Sequence, residues 1–279
     1  MDIKEIAVFL KAGAPCEARL ELTAALAQRH GAHVSAIWLI DPPEVALAEC
    51  FAVGPKAVNA VIDARDASIA AMVEGARMAF ERAVAGHAAS YGWRQCALYA
   101  PPGERAEQAQ LADLVIVEAP APHDEAQREL VEALLFNTAA PCLLTPEGAG
   151  RRRSFHHAVI AWNGSRSAQR ALGDALPLLR EAASVSVLMV DERAGRRVDT
   201  AGEAQVLRCL SRHGVRAEAV RRPAGEGRAG AAILDACAEL GADLLVMGAY
   251  GRSRTAEAVF GGATRTVLGA TTLPVLLSR

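Results

Sequence analysis

The sequence predicts an α/β protein built from two tandem Rossmann-like domains, each a five-stranded parallel sheet with helices on both faces. Three observations carry this prediction. The chain repeats itself, each repeat alternates short apolar runs with helical spacing, and a polar Pro/Gly stretch separates the repeats. The length of 279 residues is about that of two domains.

The repeat shows in three matches. Ala112-Asp113-Leu114-Val115-Ile116-Val117 resembles Ala242-Asp243-Leu244-Leu245-Val246-Met247, 130 residues on. Thr138-Ala139-Ala140-Pro141-Cys142-Leu143-Leu144 resembles Thr271-Thr272-Leu273-Pro274-Val275-Leu276-Leu277 at an offset of 133, and His33-Val34-Ser35-Ala36-Ile37 resembles Ser184-Val185-Ser186-Val187-Leu188 at 151. The changing offsets place about twenty extra residues in the first half and three in the second. The larger excess falls within residues 42–70, after a strand ending near Ile40. That insertion holds Val45, Leu47, Phe51, Val58, Val61 and Ile62, which suit either an extra packed helix or a flap that binds a partner. Packing is the preferred reading. Thr145 to Ser154 has no periodic apolar positions and reads as a linker between domains at 1–146 and 155–279.

The second half is the clearer of the two. Ala158–Trp162 reads as a buried strand and Arg166–Glu181 as a helix with Ala168, Ala171, Leu172, Ala175, Leu176 and Leu179 on one face. Strand Val185–Val190, helix Gly202–His213 and strand Val215–Val220 follow. Helix Ala229–Leu240 stops at Gly241, a C′ glycine. Strand Leu244–Met247, helix Ala258–Gly269 and strand Pro274–Leu277 complete the repeat. Continuously apolar strands separated by helices predict a parallel sheet covered on both faces. Such sheets bind ligands beyond the carboxyl ends of their strands, where the strand order reverses. Asn163, Asp191 and the stretch from Gly248 onward follow strands in this way.

Composition bounds the function. The chain is 52% hydrophobic, enough for a sizeable core, yet no apolar run approaches the roughly 18–20 residues of a membrane span. Met1-Asp2-Ile3-Lys4-Glu5 has no basic leader, so a cytoplasmic protein with no membrane partner is expected. The six cysteines lie at least 28 residues apart, which excludes Cys-x-x-Cys chemistry, and most sit in apolar strings as small hydrophobes. Residues 1–146 carry 11 basic and 19 acidic side chains, residues 147–279 carry 19 and 13. This asymmetry suits either mutual attraction of the halves or an anion bound by the second. Arg151-Arg152-Arg153 reads as a solvated linker run rather than a nucleic-acid contact, because no aromatic residues interleave with basic ones. His156-His157 is a poor metal pair, since neighbours in a strand point to opposite faces. No Gly-x-Ser-x-Gly elbow is present, and Ser165 reads as a helix N-cap.

The informative segment is Met247-Gly248-Ala249-Tyr250-Gly251-Arg252-Ser253-Arg254, followed by Phe260-Gly261-Gly262-Ala263-Thr264-Arg265. The first part leaves a strand and the second opens a helix. Glycines let backbone N–H groups approach an anion, and the helix dipole favours it. Arginines there add charge-assisted contacts. All three lysines (Lys4, Lys11 and Lys56) lie in the first half, so this is no P-loop.

In these residues the chain resembles the universal stress protein family, as a tandem duplication. The family's nucleotide pattern, Gly-x2-Gly-x9-Gly-Ser/Thr, is met in spacing by Gly248, Gly251 and Gly261, with Gly262 where a hydroxyl is expected. Val159-Ile160-Ala161-Trp162-Asn163-Gly164-Ser165 and the terminal Leu273-Pro274-Val275-Leu276-Leu277 strengthen the likeness. The resemblance implies an ATP-type adenine nucleotide, with magnesium accompanying it, held by Ala161, Trp162, Asn163, Val190, Asp191, Met247, Gly248, Gly251, Arg252, Ser253, Gly261, Gly262, Ala263 and Thr264. Asn163 stands where the family usually has Asp, and Thr264 is a substitute hydroxyl for the one missing at Gly262. The first half departs further. Glu118 falls where Gly248 stands and Lys11 near the end of the first strand, so no nucleotide is expected there. The resemblance further implies a non-catalytic stress-response regulator, pairing of the two domains as an internal pseudo-dimer through their last strands, and a possible homodimer. Two alternatives are an interaction scaffold without ligand and a weak ATPase or adenylyl-transferring relative, for which Asp191 is the candidate acid.

Overall fold

The computed structural model describes the chain except residues 1, 12–15, 41–54, 99, 122, 148–151, 192–199, 226–227 and 250–260. The first half forms β1 (Glu5–Lys11), α1 (Glu17–His30), β2 (His33–Ile40), α2 (Pro55–Val84), β3 (Ser90–Ala97), α3 (Pro102–Glu107), β4 (Leu114–Glu118), α4 (Glu125–Asn137) and β5 (Cys142–Thr145). The second forms β6 (His157–Ala161), α5 (Arg166–Leu179), β7 (Ser184–Asp191), α6 (Thr200–Arg212), β8 (Ala217–Pro223), α7 (Ala229–Glu239), β9 (Leu244–Gly248), α8 (Gly262–Ala270) and β10 (Val275–Ser278).

The strands join in one ten-stranded sheet, ordered β3-β2-β1-β4-β5-β10-β9-β6-β7-β8. The two five-stranded sheets are continuous, joined through their last strands β5 and β10 as the resemblance implies. All neighbours run parallel except β5 and β10, which pair antiparallel with Cys142 opposite Leu277 and Leu144 opposite Val275. Each half has the same internal order, which reverses between β1 and β4 and between β6 and β9.

The first sequence match is a hydrogen-bonding device. Asp113, just before β4, accepts the amides of Lys4 and Glu5 at 2.8 and 3.0 Å. Asp243, just before β9, accepts those of His156 and His157 at 2.8 and 2.9 Å. Each aspartate locks the start of one central strand to the entry of the next. Gly31 and Gly241 end α1 and α7 with φ of +57° and +62°, the left-handed turn only glycine adopts without strain.

Alternation along the strands divides the core. Ile6, Val8 and Leu10 face one side with Leu26, Phe80, Leu172 and Leu210, while Ala7 and Phe9 face the other with Leu130, Ile233 and Val267. Each core layer crosses the seam between halves without a break. The seam is apolar at its centre, and its exposed ion pair, Arg29 to Glu181 at 2.6 Å, places the base in the acidic half. The charge asymmetry therefore does not describe how these contacts form.

Helix α2 is thirty residues long, against thirteen for α6 in the equivalent place. Its C-terminal turns pack through the fully buried Phe80 and Val84. Residues 55–70 of the insertion are helical, but Ile62, expected to pack, is 38% exposed. Val45, Leu47 and Phe51 lie outside the described residues. Among the described residues no helix is long and apolar enough to cross a membrane.

Candidate functional site

The second-half crevice opens where β6 and β9 end side by side, Ala161 opposite Met247. Beyond Ala161, the Trp162 amide donates to the carbonyl of Leu188 at 2.8 Å, and the indole is half-buried against the core. The chain then turns. The Asn163 side-chain oxygen accepts the Ser165 amide at 3.0 Å, Gly164 adopts φ +70°, and Ser165 caps α5 by accepting the Ala168 amide at 3.2 Å. The expected N-cap is present. Asn163 makes the short turn that aims the start of α5 at the crevice.

On the other wall, Met247 is buried and Gly248 ends β9 against the first turn of α5. A Cβ there would stand 2.5 Å from Ser167 Oγ and 2.6 Å from Ala168 N, so only glycine permits this approach. The next residue, Ala249, donates its amide to Ser278 at 2.8 Å. Its carbonyl accepts the Thr264 hydroxyl at 2.9 Å. This bond joins the two ends of the glycine motif, because Thr264 lies in the first turn of α8. Thr264 is 2% exposed and its proton is committed to Ala249. Gly251, Arg252 and Ser253 lie outside the described residues.

Helix α8 begins at Gly261, which supplies no side-chain cap, and its first turn holds no acid. The opening amides of any helix lack intrahelical partners and carry the positive end of the dipole. Gly262 and Ala263 belong to this turn, and among the described residues outside the helix's own backbone no atom lies within 4 Å of a Cβ placed on Gly262. Behind it, Gly230 lets α7 press against α8, 2.8 Å from the Ala263 carbonyl to a Cβ position. The third wall is β7. Val190 precedes Asp191, whose carboxylate lies 3.8 Å from Arg221 and whose carbonyl accepts the Ala224 amide at 2.9 Å. Arg221 is held more tightly by Glu203, at 2.6 Å.

Other side chains singled out in the sequence have structural partners. His157 bonds Leu240 O and Ser186 Oγ, both at 2.9 Å, joining β6 to β7 and to the end of α7. Arg152, expected to be solvated, lies 3.5 Å from Asp243. Burial pushes the thiols of Cys142 and Cys237 up to about 12, so neither is a nucleophile at neutral pH. Among the described residues no three metal-ligating side chains cluster.

Sequence reasoning missed Arg19. The first-half crevice, between β1 and β4, is flanked by Lys11 and Glu118 as expected, but Glu118 pairs at 3.1 Å with Arg19 of α1. The two residues stand 99 positions apart in the chain, and no local pattern links them.

Two Rossmann-like repeats in one sheet, each with its own point where strand order reverses, define an α/β protein of doubled architecture. Residues 154–279 match the profile of the universal stress protein family. A universal stress protein from Archaeoglobus fulgidus is 15% identical, with a TM-score of 0.69 over 98% of this chain and 96% of that one. A protein described as a putative universal stress protein from Pseudomonas aeruginosa is 14% identical, with a TM-score of 0.60 over 99% of this chain and 93% of that one. These likenesses extend the shared fold to both halves. No curated protein matches the chain by sequence.

Proposed function

We propose that the chain is a non-catalytic regulatory protein that binds one ATP-type adenine nucleotide, in its second half only. The observation that carries this reading is that Gly248 and a helix start with no side-chain cap from Gly261 and no acid in its first turn are held together by the Thr264–Ala249 bond at the strand-order switch. The opening amides of α8 suit a phosphate group. The β6 end and the Asp191 backbone are the neighbouring surfaces for nucleoside. Magnesium would come with the phosphates, since Asp191 is the acid at hand and is already beside Arg221.

The test is equilibrium dialysis of the full chain against ATP with and without magnesium. Saturation near one nucleotide per chain, weakened by Gly248→Ala, supports the reading. Absence of saturable binding up to roughly millimolar nucleotide, an affinity worth about 4 kcal/mol, overturns it.

A further inference from the structure

The first-half crevice is filled by the protein itself. The Arg19 guanidinium is 4% exposed, and each of its nitrogens has a partner. Nε donates to Thr145 Oγ1 at 3.0 Å, Nη1 to the carbonyl of Phe9 at 3.1 Å, and Nη2 lies 3.1 Å from Glu118 Oε2. Gln127 of α4 donates to the Glu118 carbonyl at 2.7 Å and fixes that end of the strand. One planar group thus ties α1 to the ends of β1, β4 and β5, and it spans the two strands between which the order reverses.

The internal repeat shows what was exchanged. Cys16 and Ser165 begin α1 and α5, so Arg19 corresponds to Ala168. Asp113 and Asp243 align Glu118 with Gly248, and β5 and β10 align Thr145 with Ser278. In the second half the guanidinium and carboxylate are gone together. Helix α5 closes onto Gly248, and the Ser278 hydroxyl is 2% exposed with no hydrogen-bond partner among the described residues. A buried charge without its partner is strongly unfavourable, so the two residues are retained or lost as a pair.

We propose that the first half carries a self-occupied ligand site, in which the Arg19 guanidinium is the resident cation and holds that half closed without an external molecule. Removing the side chain creates a site for a planar monocation of the guanidinium class, bounded by Glu118, Thr145 and the Phe9 carbonyl. The inference does not depend on nucleotide binding in the second half.

The experiment is thermal unfolding of full-length Arg19→Ala with methylguanidinium, using methylammonium as a control of equal charge without the planar fork. A ligand that binds only the folded state raises its midpoint by mass action, so methylguanidinium at about 10 mM is expected to recover part of the loss. Wild type and Arg19→Ala/Glu118→Ala should not respond. Equal response of wild type and variant, or rescue by methylammonium as well, overturns the proposal. Should Arg19→Ala fail to fold, Glu118→Gln decides by hydrogen exchange. Amides at the ends of β1, β4 and β5 should exchange about a hundredfold faster, with those of β6 and β9 unchanged. Wild-type protection at the first-half strand ends in Glu118→Gln refutes the self-occupied site.

Discussion

Replacing Gly248 by alanine tests the central contact of the second-half crevice. The added methyl would stand 2.5 Å from Ser167 Oγ, 2.6 Å from the Ser167 carbonyl carbon and 2.6 Å from the Ala168 nitrogen. A serine hydroxyl can rotate, but the other two atoms are backbone in the first turn of α5. That turn must retreat by about 1 Å, a strain in the range of roughly 1–3 kcal/mol for an overpacked site. At about 2–4 °C per kcal/mol for a chain of this size, the midpoint should fall by roughly 2–12 °C in differential scanning calorimetry. Gly262→Ala is the matched control. Among the described residues no atom outside its own helix backbone lies within 4 Å of its Cβ position and its φ is not positive, so alanine should be neutral or stabilising by up to about 1 kcal/mol. A Gly248→Ala protein as stable as wild type would refute the packing argument, and with it the claim that glycine is needed there for close approach. An equal loss in Gly262→Ala would show that glycine content rather than contact geometry sets the cost.

Three further outcomes are expected. Gly230→Ala should destabilise by a similar amount and weaken ATP binding in dialysis, because its methyl would meet Thr266 Cβ at 2.6 Å and the Ala263 carbonyl at 2.8 Å, displacing the start of α8. Thr264→Val removes the bond to the buried Ala249 carbonyl and should cost about 1–3 kcal/mol in urea unfolding without nucleotide; a loss seen only with nucleotide present would mean that the hydroxyl serves the ligand instead. The Cys142 and Cys237 thiols, at about 12 when folded against an ordinary value of 9.0, hold their protons more tightly in the native state. Their contribution is complete below pH 9 and declines between pH 9 and 12, by up to about 1.4 kcal/mol per pH unit for each thiol. The stability difference between wild type and Cys142→Ala/Cys237→Ala should therefore shrink on going from pH 8.5 to 10.5, and a constant difference would contradict the burial of these thiols.

Much of the fold was legible because parallel strands buried on both faces read as continuous apolar runs, and the repeat doubled every signal. Every strand and helix expected in the second half has a counterpart, with the third strand shifted to Ala217–Pro223. The aspartate locks were visible as the Ala-Asp matches, though not their role. What escaped was tertiary. Arg19 looked like one more helical cation, since nothing in Glu17-Ala18-Arg19 indicates that a carboxylate on β4 will face it. Ile62 sat among apolar neighbours in sequence, but the helix anchors in the core through its distant C-terminal residues Phe80 and Val84 and leaves Ile62 exposed. The charge imbalance was real in the sequence and uninformative at the seam, where leucine and valine pairing dominates.

The seam also explains how a half whose own crevice is filled by Arg19 contributes to the other half. Strands β5 and β10 are four residues long and buried along their whole length. Either would be an apolar sheet edge if left alone, with unpaired backbone groups and a tendency to associate. Joining the halves covers both edges at the high effective concentration of a tandem chain. Strand β10 in turn pairs with β9 through Gly248, and Ala249 is fixed to the Ser278 carbonyl at 2.8 Å. The first half therefore supports the candidate nucleotide wall from one strand away. With its own crevice closed by Arg19, it does so whether or not a ligand is bound next door.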